Sequence, residues 1–198
     1  MPPVCEVVRF PSSAAYRTDP STLHEAYDIL HGIDGVQATY HGLQIGDSGT
    51  LYGFILWGTM ERHKTFTTTQ TYAKEFIPTL QKSLSGPASL LYHVHFSVDP
   101  RLVLRASAVE LVYLTVQLRG GGSPAEEDLA EMKSHLKASV HEGAWGQAEE
   151  KRNVFVVLGG LKMSESGYKW NGTTKLVVKS EMVRIGVAEY KVAKLSYL

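Results

Sequence analysis

A repeat inside the chain constrains its fold more than any other feature of the sequence. Residues 5–10 align with residues 109–114, an offset of 104, and the apolar run 51–56 aligns with 155–160 at the same offset without a gap. Agreement of separate blocks at one offset is the signature of repeated structural units. The sequence therefore predicts two diverged copies of one unit.

Single positions support the same alignment. At the offset of 104 the further aligned pairs are Gly42 with Gly146, Glu61 with Glu165, and Phe66 with Trp170. Near the end of each copy, 92–94 aligns with 190–192 at an offset of 98, so the second copy is six residues shorter there. We predict two units, residues 1–98 and 108–198, joined by the short segment between them.

The first copy has the order strand, helix, strand, strand, helix, strand. Asp19-Pro20 predicts a helix start, because Asp accepts hydrogen bonds from the free amides there and Pro fits the first turn, and Gly32 predicts the end of that helix. Gly and Asp at 46–50 predict a hairpin turn. A second helix is predicted from about Met60, with a break at Pro78. The predicted strands are 4–10, 37–45, 51–57 and 91–98.

The second copy repeats this order with one distinct helix start. Ser123-Pro124-Ala125-Glu126 has the sequence of a capping box with proline at the first helical position, and Gly143 predicts the end of that helix. A weaker pattern predicts a second helix from about 165 to 186.

This β-α-β-β-α-β order predicts a ferredoxin-like unit, an antiparallel sheet with both helices on one face. The other face of each sheet remains apolar and needs a partner. The predicted fold class is therefore α+β, with two ferredoxin-like βαββαβ units packed sheet to sheet as an α+β barrel.

Composition limits the classes of partner. Twenty Lys and Arg residues balance twenty Asp and Glu residues, so no net charge attracts nucleic acid or anionic lipid. The single cysteine, Cys5, cannot form a disulfide within the chain or a Cys-rich metal site. We expect a small-molecule ligand, no nucleic-acid or membrane partner, and a monomer or homodimer.

The sequence also gives no sign of export or of a common cofactor. Residues 1–6 lack the basic and apolar regions of a signal peptide, and the apolar run 51–57 is far shorter than the roughly twenty residues of a membrane-spanning helix. No phosphate-binding or dinucleotide-binding glycine motif is present. A cytoplasmic protein without a cofactor is the expectation.

Several polar and aromatic residues occur in the first copy only. The aligned pairs are Trp57 with Leu161, His63 with Gly167, His93 with Lys191, and His95 with Ala193. Because both copies must build the same scaffold, a residue present in one alone is not required by the fold. Either the surface of the second copy has diverged, or the first copy holds a functional pocket around Trp57 and His63.

His93 and His95 alternate along a predicted strand, so both imidazoles point to one face. This spacing is known among metal ligands, but zinc or non-haem iron needs a third ligand, which the sequence does not reveal. Three interpretations remain open for the pair: metal ligands, pocket lining, or structural side chains.

The first copy, over about residues 4–98, resembles the antibiotic biosynthesis monooxygenase family of the dimeric α+β-barrel superfamily. The matching segments are 40–44, 51–57, 60–66, Tyr72, Phe76 and 92–94. The resemblance implies an α+β barrel and cofactor-free chemistry in which a histidine at the position of His63 reaches the pocket. Haem-degrading relatives carry histidine and asparagine in segments that correspond to 73–76 and 4–10, and neither residue type occurs there.

We therefore expect a small-molecule tailoring enzyme, a cofactor-free oxygenase or an acid-base cyclase, acting on an apolar or aromatic substrate. The alternative is a non-catalytic small-molecule-binding or assembly protein with the same fold. The expected catalytic residues are His63 and Tyr72, and the expected substrate-binding residues are Trp57, Tyr40, His93 and His95.

Overall fold

The computed structural model describes residues 2–161, 168, 170, 172–173 and 175–191. Its strands are β1 (Val4–Pro11), β2 (Val36–Gln44), β3 (Asp47–Trp57), β4 (Leu90–His95), β5 (Ala108–Leu118), β6 (Ala144–Gln147), β7 (Val154–Leu158), β8 (Leu176–Gly186) and β9 (Ala188–Glu189). Its helices are α1 (Ala14–Thr18), α2 (His24–His31), α3 (Met60–Thr67), α4 (Ile77–Gln81), α5 (Arg101–Leu104) and α6 (Glu126–Ser139). A 3-10 turn, Pro20–Leu23, precedes α2, and a π-helical turn, Tyr72–Phe76, precedes α4.

The helices of the first half begin and end close to the predicted positions. The Asp19 side chain accepts a hydrogen bond from the amide of Ser21, and Gly32 follows the last residue of α2. Pro78 lies in the first turn of α4, where its missing N–H costs nothing. The π-helical turn before α4 accommodates the interruption in backbone hydrogen bonding that the proline causes.

The hairpin between β2 and β3 is tighter than the sequence suggested. Gln44 pairs directly with Asp47, so the loop contains only Ile45 and Gly46, and residues 47–50 belong to β3. Gly46 has a φ of 88°, which favours glycine. The predicted turn over 46–50 was therefore too long.

In the second half, the first helix starts later than predicted. It begins at Glu126, and the carboxylate of Asp128 accepts a hydrogen bond of 2.8 Å from the amide of Ala125. Asp128, rather than Ser123, therefore provides the side-chain hydrogen bond at the start of this helix.

The strands form one antiparallel sheet with the order β4-β1-β3-β2-β8-β5-β7-β6, and β9 pairs with β2. The two outer strands meet as well. The amide of Ser97 donates to the carbonyl of Trp145 (2.7 Å), and the amide of Glu149 donates to the carbonyl of His93 (2.9 Å). These bonds between β4 and the β6 region, which we call the β4–β6 seam, close the sheet into a barrel.

A corresponding seam joins β2 to β8 and β9. There the amide of Ile45 donates to the carbonyl of Arg184 (2.7 Å). Because Ile45 and Glu149 differ by 104, this bond corresponds to that between Glu149 and His93 in the β4–β6 seam. Arg184 thus takes the place of His93.

This register corrects the alignment of the closing strands. The second closing strand is β8, paired with β5 along its length, and it ends at Gly186, before residues 190 and 191. The offset there is 91, not 98. The predicted helix over 165–186 is also wrong where it overlaps β8, and its residues 165–167, 169, 171 and 174 lie outside the described part of the chain.

Alternating side chains divide the apolar residues into three layers. Inward-facing residues of both halves fill the barrel, among them Tyr52, Phe54 and Leu111. On the outer face of the first half, β1 and β3 pack against α2, α3 and α4. On the outer face of the second half, α6 covers β5 and β7.

The α+β fold class predicted from the sequence is confirmed. The division into units 1–98 and 108–198 remains a prediction. None of the helices in the described ranges has the length and apolarity needed to cross a membrane.

Candidate active site

A cavity of about 710 Å³ lies between the outer face of the first-half sheet and the helices that cover it. Its floor comes from β1, β3 and β4, and Gly53 leaves the middle of the floor open because it has no side chain. Its walls are mainly apolar and aromatic, formed by Val8, Phe10, Leu30, Ile55, Phe66, Tyr72, Phe76, Ile77, Leu80, Leu84 and Leu91. Its volume is within the usual range of small-molecule sites.

One end of the cavity is polar. Glu6 on β1 and His93 on β4 face each other across the strand pair and point outward, away from the barrel interior. His63 reaches the same place from α3. The residue before this helix, Thr59, caps it by accepting a hydrogen bond from the amide of Arg62. We call Glu6, His63 and His93 the polar cluster.

The polar cluster is compact. The indole N–H of Trp57 donates a hydrogen bond of 3.0 Å to Oε2 of Glu6, and Nε2 of His63 lies 3.6 Å from the same oxygen. The ring of His63 lies 4.5 Å from the ring of His93 and 5.0 Å from that of Trp57, measured between centroids. Trp57 therefore forms both a wall of the cavity and the donor that orients Glu6.

A residue from the second half holds His93 in place. Both carboxylate oxygens of Glu150 are used: Oε2 accepts from the amide of His93 at 2.9 Å, and Oε1 contacts Nδ1. A carboxylate at Nδ1 keeps the ring proton there, so Nε2 of His93 is the nitrogen with a free lone pair. Glu150 reaches His93 because the β4–β6 seam brings the loop after β6 against β4.

Burial sets the charge of the polar cluster. It raises the pKa of Glu6 above its ordinary value, although the hydrogen bond from Trp57 opposes this. Burial also lowers the pKa of His63 to about 4, with a smaller contribution in the same direction from His93. At neutral pH the imidazole of His63 is therefore uncharged and can accept a proton.

The structure brings some of the predicted site residues together and separates others. Trp57, His63, His93 and Tyr72 all line the cavity. The ring of Tyr72 packs against Phe66 and Phe76.

Two predicted substrate-binding residues do not line this cavity. Tyr40 is fully buried inside the barrel, on the opposite face of the sheet. His95 is exposed and pairs with Glu149 at 2.8 Å, outside the polar cluster. His93 and His95 point to the same face of β4, as the sequence predicts. Their surroundings differ, because His93 lines the cavity and His95 is exposed beside Glu149.

Sequence reasoning missed Glu6 and Glu150. Glu6 was detectable, because it is a carboxylate at an outward position between the buried Val4 and Val8 of a predicted strand. Glu150 was not, because only the closure of the barrel brings it to His93, which is 57 residues away in the chain.

The corresponding positions of the second half have different chemistry. Glu110 corresponds to Glu6, and Arg184, which corresponds to His93, lies 3.9 Å from it in a partly exposed ion pair. Leu161 corresponds to Trp57, and Gly167, aligned with His63, lies outside the described residues. The polar cluster is thus a property of the first half.

Fold and cavity together define a class: a closed α+β barrel with a ligand-sized cavity between sheet and helices. Three solved structures are similar to this chain in fold. A candidate monooxygenase of Fusobacterium nucleatum subsp. nucleatum is 13% identical, with a TM-score of 0.60 over 96% of this chain and 98% of its own. A candidate monooxygenase of Lactobacillus acidophilus is 10% identical, with a TM-score of 0.53 over 94% of each chain.

The third, an anthrone oxidase-like protein, is 7% identical, with a TM-score of 0.55 over 93% of this chain and 91% of its own. Identities this low establish the fold alone. No protein-family profile and no curated protein sequence matches the chain.

Proposed function

We propose that this chain is a small-molecule tailoring enzyme that acts on an apolar, aromatic substrate in the cavity, by oxygenation or by acid-base cyclisation. One observation carries the proposal: the apolar cavity ends at the polar cluster, in which His93 is buried and Glu6 and His63 are partly buried. A substrate held by the aromatic walls would present one reactive position to Glu6, His63 and His93.

Both reactions begin with removal of a proton from the substrate. In cyclisation the resulting carbanion attacks a carbonyl group, whose oxygen takes up a proton. In oxygenation it transfers an electron to molecular oxygen, the substrate radical and superoxide combine, and the protonated hydroperoxide loses water to leave a ketone. The neutral imidazole of His63 can accept the proton removed from the substrate, and Nε2 of His93, held by Glu150, offers a second lone pair. The indole N–H of Trp57 keeps Glu6 oriented beside them.

Anthrone is a suitable first probe, because it is a fused apolar ring system with an acidic C–H group, and one structural neighbour is named for oxidation of it. Oxygen uptake and product formation are measured with the purified full-length chain. We expect His63→Ala to lower the rate by about 10²- to 10⁴-fold, the usual contribution of a positioned proton-transfer group. His141→Ala, an exposed histidine of the second half, is the matched control and should keep the full rate.

A cavity-filling variant, Ile55→Trp, tests where anthrone binds and should abolish saturable binding. Saturable binding without turnover would favour the alternative, a binding protein with the same fold. A rate that stays within about threefold of wild type in His63→Ala would contradict the role of His63.

A further inference from the structure

The polar cluster has the composition of a metal site. One possible ligand atom from each of Glu6, His63 and His93 lies within 4.8 Å of the other two. Two imidazoles and one carboxylate form the ligand set of thermolysin-type zinc sites and of non-haem iron oxygenases, which leave coordination positions open. Glu6 and His63, on other elements, join His93 in this set, and His95 is not part of it.

Two nitrogen atoms of the polar cluster are buried without a hydrogen-bond partner among the described residues, Nδ1 of His63 and Nε2 of His93. The side chain of His93 is only 6% exposed. Since Glu150 occupies its Nδ1, Nε2 is the atom left to bind a ligand. Buried polar atoms without partners are uncommon in folded proteins because they cost free energy, and a cation bound at Nε2 of His93 would remove that cost for this atom.

The surroundings of the polar cluster match those of metal ligands. Metal-binding histidines commonly donate their other ring N–H to a carboxylate, and ligating carboxylates are themselves hydrogen-bonded. Nδ1 of His93 contacts the carboxylate of Glu150 in this way, and the carboxylate of Glu6 accepts a hydrogen bond from the indole of Trp57. These contacts orient the ligand atoms before any cation arrives.

The distances are compatible with binding after small movements. Bonds of about 2.1 Å place two ligand atoms of one ion roughly 3 Å apart. Nε2 of His63 and Oε2 of Glu6 are already 3.6 Å apart. The three ligand atoms, which lie within 4.8 Å of one another, must approach further when an ion binds.

We infer that Glu6, His63 and His93 bind one divalent transition-metal ion. Imidazole ligands favour iron, cobalt, nickel or zinc, whereas magnesium and calcium prefer oxygen ligands. The inference rests on the proposed function, which places the substrate in the cavity beside the polar cluster. It assigns His63 and His93 as metal ligands rather than as proton acceptors. A hydroxide bound to the ion would then accept the substrate proton and become bound water, and the ion would hold the oxyanion that remains on the substrate.

The test is a titration of the chelator-treated full-length chain with Co²⁺, followed by calorimetry and visible absorption. We expect one Co²⁺ per chain and no binding of Mg²⁺. His63→Ala, His93→Ala and Glu6→Gln should abolish the one-to-one binding. Glu150→Gln should weaken it by about 10- to 100-fold, because it only orients a ligand. His141→Ala is the matched control and should bind as wild type does.

Three outcomes would overturn the inference: absence of saturable Co²⁺ binding, binding that survives both Glu6→Gln and His93→Ala, or binding that His95→Ala abolishes and His63→Ala does not. Glu6→Gln preserves side-chain shape and an acceptor for Trp57, so this variant separates lost ligation from lost folding, with near-UV circular dichroism as the check. The titration contains no substrate. Its failure therefore leaves the proposed function standing, and failure with anthrone leaves metal binding standing.

Discussion

Two buried histidines of the first half, His93 and His41, differ in the side chain that contacts the imidazole ring. His93 is held by a carboxylate, whereas His41 meets a phenol: its Nδ1 lies 2.6 Å from the hydroxyl of Tyr16, with both residues buried. The ring of Tyr27 packs against the same imidazole ring in a T-shaped arrangement, with centroids 5.5 Å apart. A hydroxyl partner does not compensate a positive charge as a carboxylate does, so His41 is held in its neutral form.

His41 should make the protein sensitive to mild acid. Burial lowers its pKa from 6.5 to about 4, and the neighbouring His24 adds to this effect. Between these values the unfolded chain binds a proton that the folded chain does not. The free energy of unfolding should therefore fall as pH is lowered through this window, with His41 contributing up to ~3 kcal/mol.

The measurement is urea unfolding at several pH values between 4.5 and 7. His41→Gln keeps a hydrogen-bond acceptor for Tyr16 but does not titrate, so its stability should depend less on pH than that of wild type. His141→Gln, at an exposed position, should leave the pH dependence unchanged. An equal slope in wild type and His41→Gln would contradict this account.

At the scale of elements, the two seams depend on glycine. A Cβ on Gly42 would lie 1.7 Å from the carbonyl oxygen of Gly186, and one on Gly146 would lie 2.4 Å from that of His95. Neither neighbour can move away without separating paired strands. Because Gly42 and Gly146 differ by 104, the same close approach occurs at both seams.

Gly42→Ala and Gly146→Ala should each lower the free energy of unfolding by about 1–3 kcal/mol or more, as in other overpacked sites. Thermal and urea unfolding measure the loss. Gly120→Ala, in a loop where the new Cβ meets nothing within 4 Å, is the control and should change little. Equal stability of all three variants would show that the seams tolerate wider spacing.

Most elements were predictable because their signals are local. Helix α2 follows from the positions of Leu23, Ala26, Tyr27 and Leu30, which are all buried. The strand β8 was not predictable as such. Lys179, Glu181 and Arg184 interrupt its apolar residues, and its pairing with β5 along eleven positions decides its conformation. Tertiary pairing overrides a weak local preference there.

The residues of the candidate site also divide into those that the sequence indicates and those that only the complete fold brings together. His63 and Trp57 could be found by comparing the two aligned copies, since each lacks a counterpart of its type. Glu150 meets His93 only after the barrel closes, so no local pattern indicates it. Contacts across a seam depend on the complete fold, and a single sequence does not display them.

At the scale of the whole molecule, the barrel interior joins the two halves. Strands of both halves of the sheet share one apolar core, in which Tyr92 of the first half contacts Tyr113 of the second with ring centroids 6.0 Å apart. Neither half could keep its inner face away from water without the other.

The chain should therefore unfold in a single cooperative transition. Calorimetry of the full-length protein should give equal calorimetric and van't Hoff enthalpies, and circular dichroism should show the same midpoint. Gly146→Ala, which disturbs one seam only, should shift this midpoint without splitting the transition. Two separate transitions would mean that the halves are stable independently of the shared core.

The two seams carry different side chains, and this difference affects how such a protein can evolve. In a barrel made from two identical chains, every substitution occurs twice, so both seams must tolerate it. Here Glu150 and His93 form one contact, while Gly46 and Arg184 occupy the corresponding places in the other seam. A single covalent chain can alter one seam and leave the other intact, so chemistry can develop on one side while the opposite side preserves the barrel.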